Sequence, residues 1–125
     1  MLMLPANTRI HMATEPVNFQ KSIDGLSAVI RSVLQMDPLS GHLFVFHNRH
    51  HTALKILFWL DGGFCLYYKR LARGRFVLPQ MEGGQRATIS QAQLAALLEG
   101  LDLRQARPLS RWNPQKNSGI HTDAY

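Results

Sequence analysis

The chain is poor in the features that mark several common protein classes. Its single cysteine, Cys65, excludes an internal disulfide and a zinc site built from several cysteines, and it favours a reducing, cytoplasmic location. No apolar run approaches the roughly 18–20 residues that span a membrane, since the longest candidate is the short segment Ile56–Leu60. The first residues lack the basic and apolar regions of a secretory signal. At 125 residues, the sequence predicts a single core and no membrane partner.

The sequence also lacks the motifs of common enzymes. It contains no phosphate-binding or dinucleotide-binding glycine motif, and Cys65 lies between apolar neighbours, as a core thiol does. The stretch HNRHH places His47, His50 and His51 together, but it contains no acid or cysteine to complete a metal site. We therefore predict a protein that is not an enzyme and has no metal or cofactor. A small nuclease that uses His50 or His51 stays open as an alternative.

Acidic residues are scarce as well, with 8 against 14 lysines and arginines, and the net charge is +6. The excess is uneven along the chain. Residues 1–40 are neutral overall, whereas residues 41–86 hold seven basic and two acidic residues, a net charge of +5. A local excess of this kind is typical of proteins that bind polyanions, although a solvated surface is the plainer alternative.

Apolar periodicity predicts two helices. Apolar residues recur at steps of three and four within residues 18–35, with Asn18 as the expected N-cap and Pro38 beyond the end. Ser90 and Gln93 have the spacing of a capping box, and Gly100 is suited to end the second helix.

Alternating apolar residues between the two helices predict strands. The alternating segments are HLFVFHN, ALKILFWL, FCLYYKRL and RFVL, and TRIHMA precedes the first helix as a further extended segment. With short connectors, these segments predict an α+β fold, in which an antiparallel β-meander of about four to five strands has both helices packed on one face. We expect residues 1–103 to form one domain and the polar residues 104–125 to form a flexible tail.

The segment YYKRLARGRF concentrates positive charge around a predicted turn. If FCLYYKRL pairs with RFVL, the cations Lys69, Arg70, Arg73 and Arg75 gather at one hairpin end. Each close pair of exposed like charges costs on the order of 1 kcal/mol in water, whereas a phosphate backbone would stabilise them. A two-stranded ribbon also fits the major groove of DNA. These four residues are therefore the predicted DNA contacts.

Short segments throughout the chain resemble a known family in their order and spacing. The matching segments are IHMATEPV, KSIDGL, DPLSGHLFVF, NR, LKIL, DGGFCLYYKRL, GRFVLP and LLEGLDL, and they extend over roughly Leu4 to Leu103. They resemble the accessory proteins often called TnpB or Orf-two-like, which the "sixty-six" class of bacterial insertion sequences encodes.

The resemblance implies a small non-catalytic protein that binds DNA and assists a separate DDE-type transposase. It makes Lys69, Arg70, Arg73 and Arg75 the matching basic positions, and it makes Arg49 and Lys55 supporting ones. A protein–protein adaptor that holds the transposase without touching DNA is the alternative. The sequence leaves open whether copies of the chain form a homo-oligomer.

One segment departs from the family pattern. Where the family typically reads Asp-Met-Arg-Lys, this chain reads Asn18-Phe19-Gln20-Lys21. Asparagine can still cap a helix, but Gln20 lacks the arginine charge, so a phosphate or partner contact is not expected there.

Overall fold

The computed structural model describes residues 5–102 and 107–108 and confirms the α+β class. The elements are β1 (Ile10–Ala13), α1 (Ile23–Ser32), β2 (Leu43–His47), β3 (Ala53–Leu60), β4 (Gly63–Arg70), β5 (Arg86–Ile89), α2 (Gln91–Glu99), β6 (Leu101–Asp102) and β7 (Arg107–Pro108). Five strands form one sheet in the order β4-β3-β2-β1-β5. Neither of the described helices has the length and apolar character needed to cross a bilayer.

The predicted meander is confirmed for β2, β3 and β4. β2 pairs with β3, and β3 pairs with β4, both antiparallel. The second pairing runs without interruption from Ala53 opposite Arg70 to Leu60 opposite Gly63. Its two turn residues, Asp61 and Gly62, have φ of 50° and 82°. Two successive positive φ angles define the tight turn that an Asp-Gly pair favours between strands.

The meander does not extend to the rest of the sheet. β1 lies in the interior, parallel to β2 on one side and antiparallel to β5 on the other. The predicted strand RFVL is wrong, because residues 75–78 form no ladder and Phe76 is instead buried in the core. The fifth strand of the sheet is Arg86–Ile89, a segment for which the sequence predicted no strand.

The two helices lie on opposite faces of the sheet, which corrects the prediction that both cover one face. In β1 to β4, residues that point to opposite faces of the sheet belong to different core clusters. The cluster below α2 joins Leu94 and Leu97 to sheet residues Leu43, Val45, Leu54, Ile56 and Ile89, among others. The cluster below α1 joins Leu26, Ile30 and Leu34 to Phe44, Phe46 and Leu57. We call the two sides the α1 face and the α2 face.

The helix starts differ in how well the sequence predicted them. Ser22, not Asn18, precedes α1, and its side chain makes no capping bond. Asn18 Oδ1 instead accepts a hydrogen bond from the Gln20 N–H at 2.8 Å, which forms a local turn. For α2 the capping box is confirmed: Gln93 N donates to Ser90 Oγ, and Ser90 N donates to Gln93 Oε1. Gly100, with φ of 79°, ends α2 as predicted.

Part of the predicted tail is described. Arg107–Pro108 pairs antiparallel with Leu101–Asp102 as a separate two-stranded ladder. Residues 104–106 and 109–125 lie outside the described residues, so the expectation of a flexible tail stays a prediction.

Two buried histidines occupy the interior of the sheet. His11 is 4% exposed and His47 is 1% exposed. The His47 Nε2 atom lies 3.1 Å from the Ala13 carbonyl oxygen. Burial lowers the pKa of both imidazoles. The neighbours His42, Arg86 and Arg9 lower that of His11 further. Burial therefore disfavours the charged form of both histidines in the folded protein.

We predict that the protein becomes less stable as the pH falls below about 6.5, the ordinary histidine pKa. Below that pH the unfolded chain takes up protons on these histidines while the folded chain does not, so protonation favours unfolding. Stability should be lost progressively until the lowered folded-state pKa values are reached. Urea unfolding between about pH 7.5 and pH 5 measures the effect. His47→Gln should flatten the pH dependence, and an unchanged slope in that variant would contradict the assignment.

Candidate nucleic-acid interface

One end of the sheet is built around the turn between β2 and β3. Asn48 organises this turn, because its Oδ1 accepts from the N–H groups of Thr52 at 2.8 Å and Ala53 at 3.1 Å. Its Nδ2 donates to Thr52 Oγ1 at 2.8 Å. His51 has φ of 59°, in the left-handed region. The turn leaves Arg49 and His50 exposed.

The segment after β4 is fixed against this turn. Leu71 N donates to Thr52 O at 2.9 Å, and Phe76 N donates to His51 O at 2.7 Å. The buried Phe76 ring anchors the segment in the core of the α2 face. The chain between these two anchors therefore follows the β2–β3 turn instead of returning as a strand.

This arrangement brings four of the predicted DNA contacts to the same end of the sheet. Arg49 lies in the turn, Arg70 ends β4 opposite Ala53, and Arg73 and Arg75 lie in the anchored segment. All four residues are exposed. Within the part of the chain that the structure describes, Arg49, Arg70 and Arg75 have no ion pair or hydrogen bond with a side-chain acid. We call these four residues the arginine end of the sheet.

Lys55 has a different role from the one predicted. It is 6% exposed, and its Nζ donates to the carbonyl oxygens of Phe19 at 3.0 Å and Lys21 at 2.8 Å. The ammonium also lies 4.9 Å from the ring centroid of Phe19 and 5.2 Å from that of Tyr68. A phosphate has no access to this nitrogen, so Lys55 is removed from the predicted DNA contacts.

Two more cations of the middle region also hold helices. Lys69 points to the α2 face, where its Nζ donates to Leu98 O at 2.8 Å near the end of α2. Arg86 Nη1 donates to Leu34 O at 2.8 Å, just after α1. Helix ends leave carbonyl groups unpaired, and cations there are favourable. Three of the seven basic residues in 41–86 thus bind main-chain carbonyls, and the other four form the arginine end.

Sequence reasoning missed the two residues that assemble this end. Asn48 shapes the turn and Phe76 anchors the following segment, yet neither carries charge. An asparagine directly after an apolar strand and four residues before a threonine was the available signal for a turn of this kind.

Two of the histidines at this end of the sheet are in contact with each other. The His47 and His51 rings meet edge to face, with centroids 5.2 Å apart, and His47 is buried. Over residues 5–102 and 107–108, no three side chains of histidine, cysteine, aspartate or glutamate come together in a way that could hold a metal ion.

Comparisons with known proteins agree with the resemblance seen in the sequence. A family model described as "IS66 Orf2 like protein" matches residues 8–108. The protein y4hO of Sinorhizobium fredii is 45% identical over an alignment of 117 residues, which covers 91% of this chain and 98% of that protein. The y4jC protein of the same organism is 35% identical over 94 residues, or 75% of this chain and 80% of that protein. No solved structure matches the chain.

We predict that Lys55→Met destabilises the fold by about 2 kcal/mol, because the Phe19 and Lys21 carbonyls lose a charged donor inside the protein. Urea unfolding at neutral pH measures the change. Arg70→Met is the matched control, and it should change stability by less than about 0.5 kcal/mol because Arg70 is exposed. Equal losses in the two variants would show that the Lys55 contacts do not hold the loop before α1.

Proposed function

Because the chain belongs to the IS66 Orf2-like family, it is an insertion-sequence accessory protein, and we propose that it assists transposition by binding DNA through the arginine end of its sheet. In this proposal it is non-catalytic and acts beside a separate DDE-type transposase. The contacts are Arg49, Arg70, Arg73 and Arg75.

The observation that carries the proposal is the gathering of four exposed arginines from separate segments by one set of main-chain hydrogen bonds. Folding gains nothing from placing like charges side by side at the surface. Arginine presents several donors in a planar fork that matches phosphate oxygens, so a DNA backbone would stabilise the arrangement. Backbone contacts fix position without reading bases, and the proposed binding is accordingly weak in sequence preference.

The distribution of charge supports an end-on contact. Strands in a sheet lie about 4.8 Å apart, so β2 and β4 are separated by about 10 Å, with β3 between them. Arg49 follows β2 and Arg70 ends β4, which spreads the guanidinium groups across a width comparable to that of a DNA groove. Asp61 lies at the opposite end of β4, in the turn after β3, and does not oppose this contact.

A DNA titration at several salt concentrations tests the proposal. Four phosphate contacts predict that the logarithm of the binding constant falls against the logarithm of salt with a slope of about −3.6. Arg70→Ser with Arg75→Ser should weaken binding and make the slope shallower by about 2. DNA from the ends of the insertion sequence and an unrelated duplex should bind with similar affinity and similar salt dependence.

The matched control also removes two positive charges, but from surfaces away from the arginine end. Arg9 and Arg31 are exposed, Arg9 precedes β1 at the other end of the sheet, and Arg31 lies in the last turn of α1. Arg9→Ser with Arg31→Ser should leave the slope unchanged. Equal effects of the two double variants, or binding that ignores salt, would overturn the DNA contact.

The same variants separate this proposal from the adaptor alternative. An adaptor would still bind the transposase when Arg70→Ser and Arg75→Ser are combined. Its wild-type form would bind no duplex DNA. Loss of DNA binding together with retained transposase binding would place the two partners on different surfaces.

A further inference from the structure

The strand β4 forms one edge of the five-stranded sheet in the described part of the chain. It is paired with β3 along its whole length of 8 residues, with no bulge in the register. Tyr67 and Tyr68 on this strand are 43% and 53% exposed. Natural proteins usually protect long edge strands with bulges, prolines or central charges, because free edges pair with other strands. β4 has charge only at its last two positions.

The turn geometry identifies which main-chain groups of β4 are free. In a two-residue turn with two positive φ angles, the flanking residues Leu60 and Gly63 form a hydrogen-bonded pair. Hydrogen-bonded and non-bonded pairs then alternate along an antiparallel ladder, so the odd-numbered residues of β4 bond to β3. The bond from Leu71 N to Thr52 O continues this alternation. Phe64, Leu66, Tyr68 and Arg70 therefore direct their N–H and C=O groups away from the sheet.

This edge is complementary to itself when two copies run antiparallel. A twofold axis at Leu66 places each Leu66 opposite its equivalent and each Phe64 opposite Tyr68 of the second copy. Both of these residues lie on the α1 face, as an antiparallel pair requires. The basic end of the strand, at Arg70, then lies opposite Gly62 and beside Asp61 of the second copy. Parallel pairing would instead place like charges together.

We propose that two copies of the chain associate through β4, antiparallel about Leu66, into one continuous sheet. The strand that pairs with this edge belongs to a second copy of the chain, because a single twofold axis matches three features. These are the free hydrogen-bonding groups of β4, the pairing of Phe64 with Tyr68, and the opposite charges at the two ends of the strand. Eight residue steps of about 3.4 Å then separate the two Arg70 Cα atoms by about 27 Å. The proposal does not rest on DNA binding, and its test contains no DNA.

Sedimentation of the full chain at high micromolar concentration is expected to give a dimer. Tyr68→Pro removes an N–H that points away from β3, so it should abolish association while leaving the β3–β4 ladder intact. Tyr68→Ala is the matched control, since it loses the same ring but keeps the N–H, and it should still dimerise. Circular dichroism and thermal unfolding of both variants check that the fold is retained.

A cross-linking experiment tests the register. With Cys65→Ser as the background, Leu66→Cys places two thiols on residues whose Cα atoms are about 5.5 Å apart, within disulfide range. Tyr68→Cys in the same background places the equivalent Cα atoms about 14 Å apart, which is too far to bridge. Oxidation should give a covalent dimer only for the first variant.

Several outcomes would overturn the proposal. A wild-type chain that stays monomeric at every concentration would mean that the edge is covered by residues 109–125 or is kept for a strand of another protein. Equal association of the proline and alanine variants would exclude strand pairing. Equal cross-linking at positions 66 and 68 would exclude the twofold axis at Leu66.

Discussion

Hydrogen bonds from the side chains of three cations to main-chain carbonyls attach both helices to the sheet. Lys55 holds the segment that leads into α1, Arg86 holds the carbonyl just beyond its end, and Lys69 holds the end of α2. These carbonyls belong to loops and helix ends, where the regular hydrogen bonds of helix and sheet are unavailable to them. Each cation satisfies them without requiring a buried carboxylate, which would itself have to be desolvated.

The cations that bind main-chain carbonyls differ from the arginine end in residue type as well as in position. Two of the three cations that bind carbonyls are lysines, whose long apolar stems can be buried while the ammonium donates up to three hydrogen bonds. The four residues of the arginine end are all arginine and all exposed. A net charge of +5 over residues 41–86 therefore overstates what faces outward, because part of it is used inside the protein.

Local signals in the sequence predicted local structure well. The Asp-Gly turn, the capping box of α2 and its terminal glycine were confirmed, because neighbouring residues determine each of them. The interior position of β1 and the placement of the helices on opposite faces depend on contacts between distant segments, which periodicity does not report. β2 did carry a hint, since both of its faces are apolar, as they are in strands covered on two sides. For the candidate site, charge predicted that Arg70, Arg73 and Arg75 lie together, and the resemblance added Arg49. Neither signal separated Lys55 and Lys69 from these arginines, because the burial of a lysine within ALKILFWL and the bond from Lys69 to the end of α2 leave no mark in the alternation.

The interior position of β1 also governs the order in which the domain can assemble during synthesis. β1 is made first, yet its partner Ile89 in β5 lies nearly eighty residues further along the chain. The hairpins of β2, β3 and β4 close locally and can form as soon as they leave the ribosome, whereas joining β1 to β5 carries the entropic cost of a long loop. A message that is broken or shifted in frame before β5 therefore yields a polypeptide whose first strand has one side permanently unpaired. Such a fragment would carry an exposed strand edge, the feature that promotes pairing with other chains and aggregation.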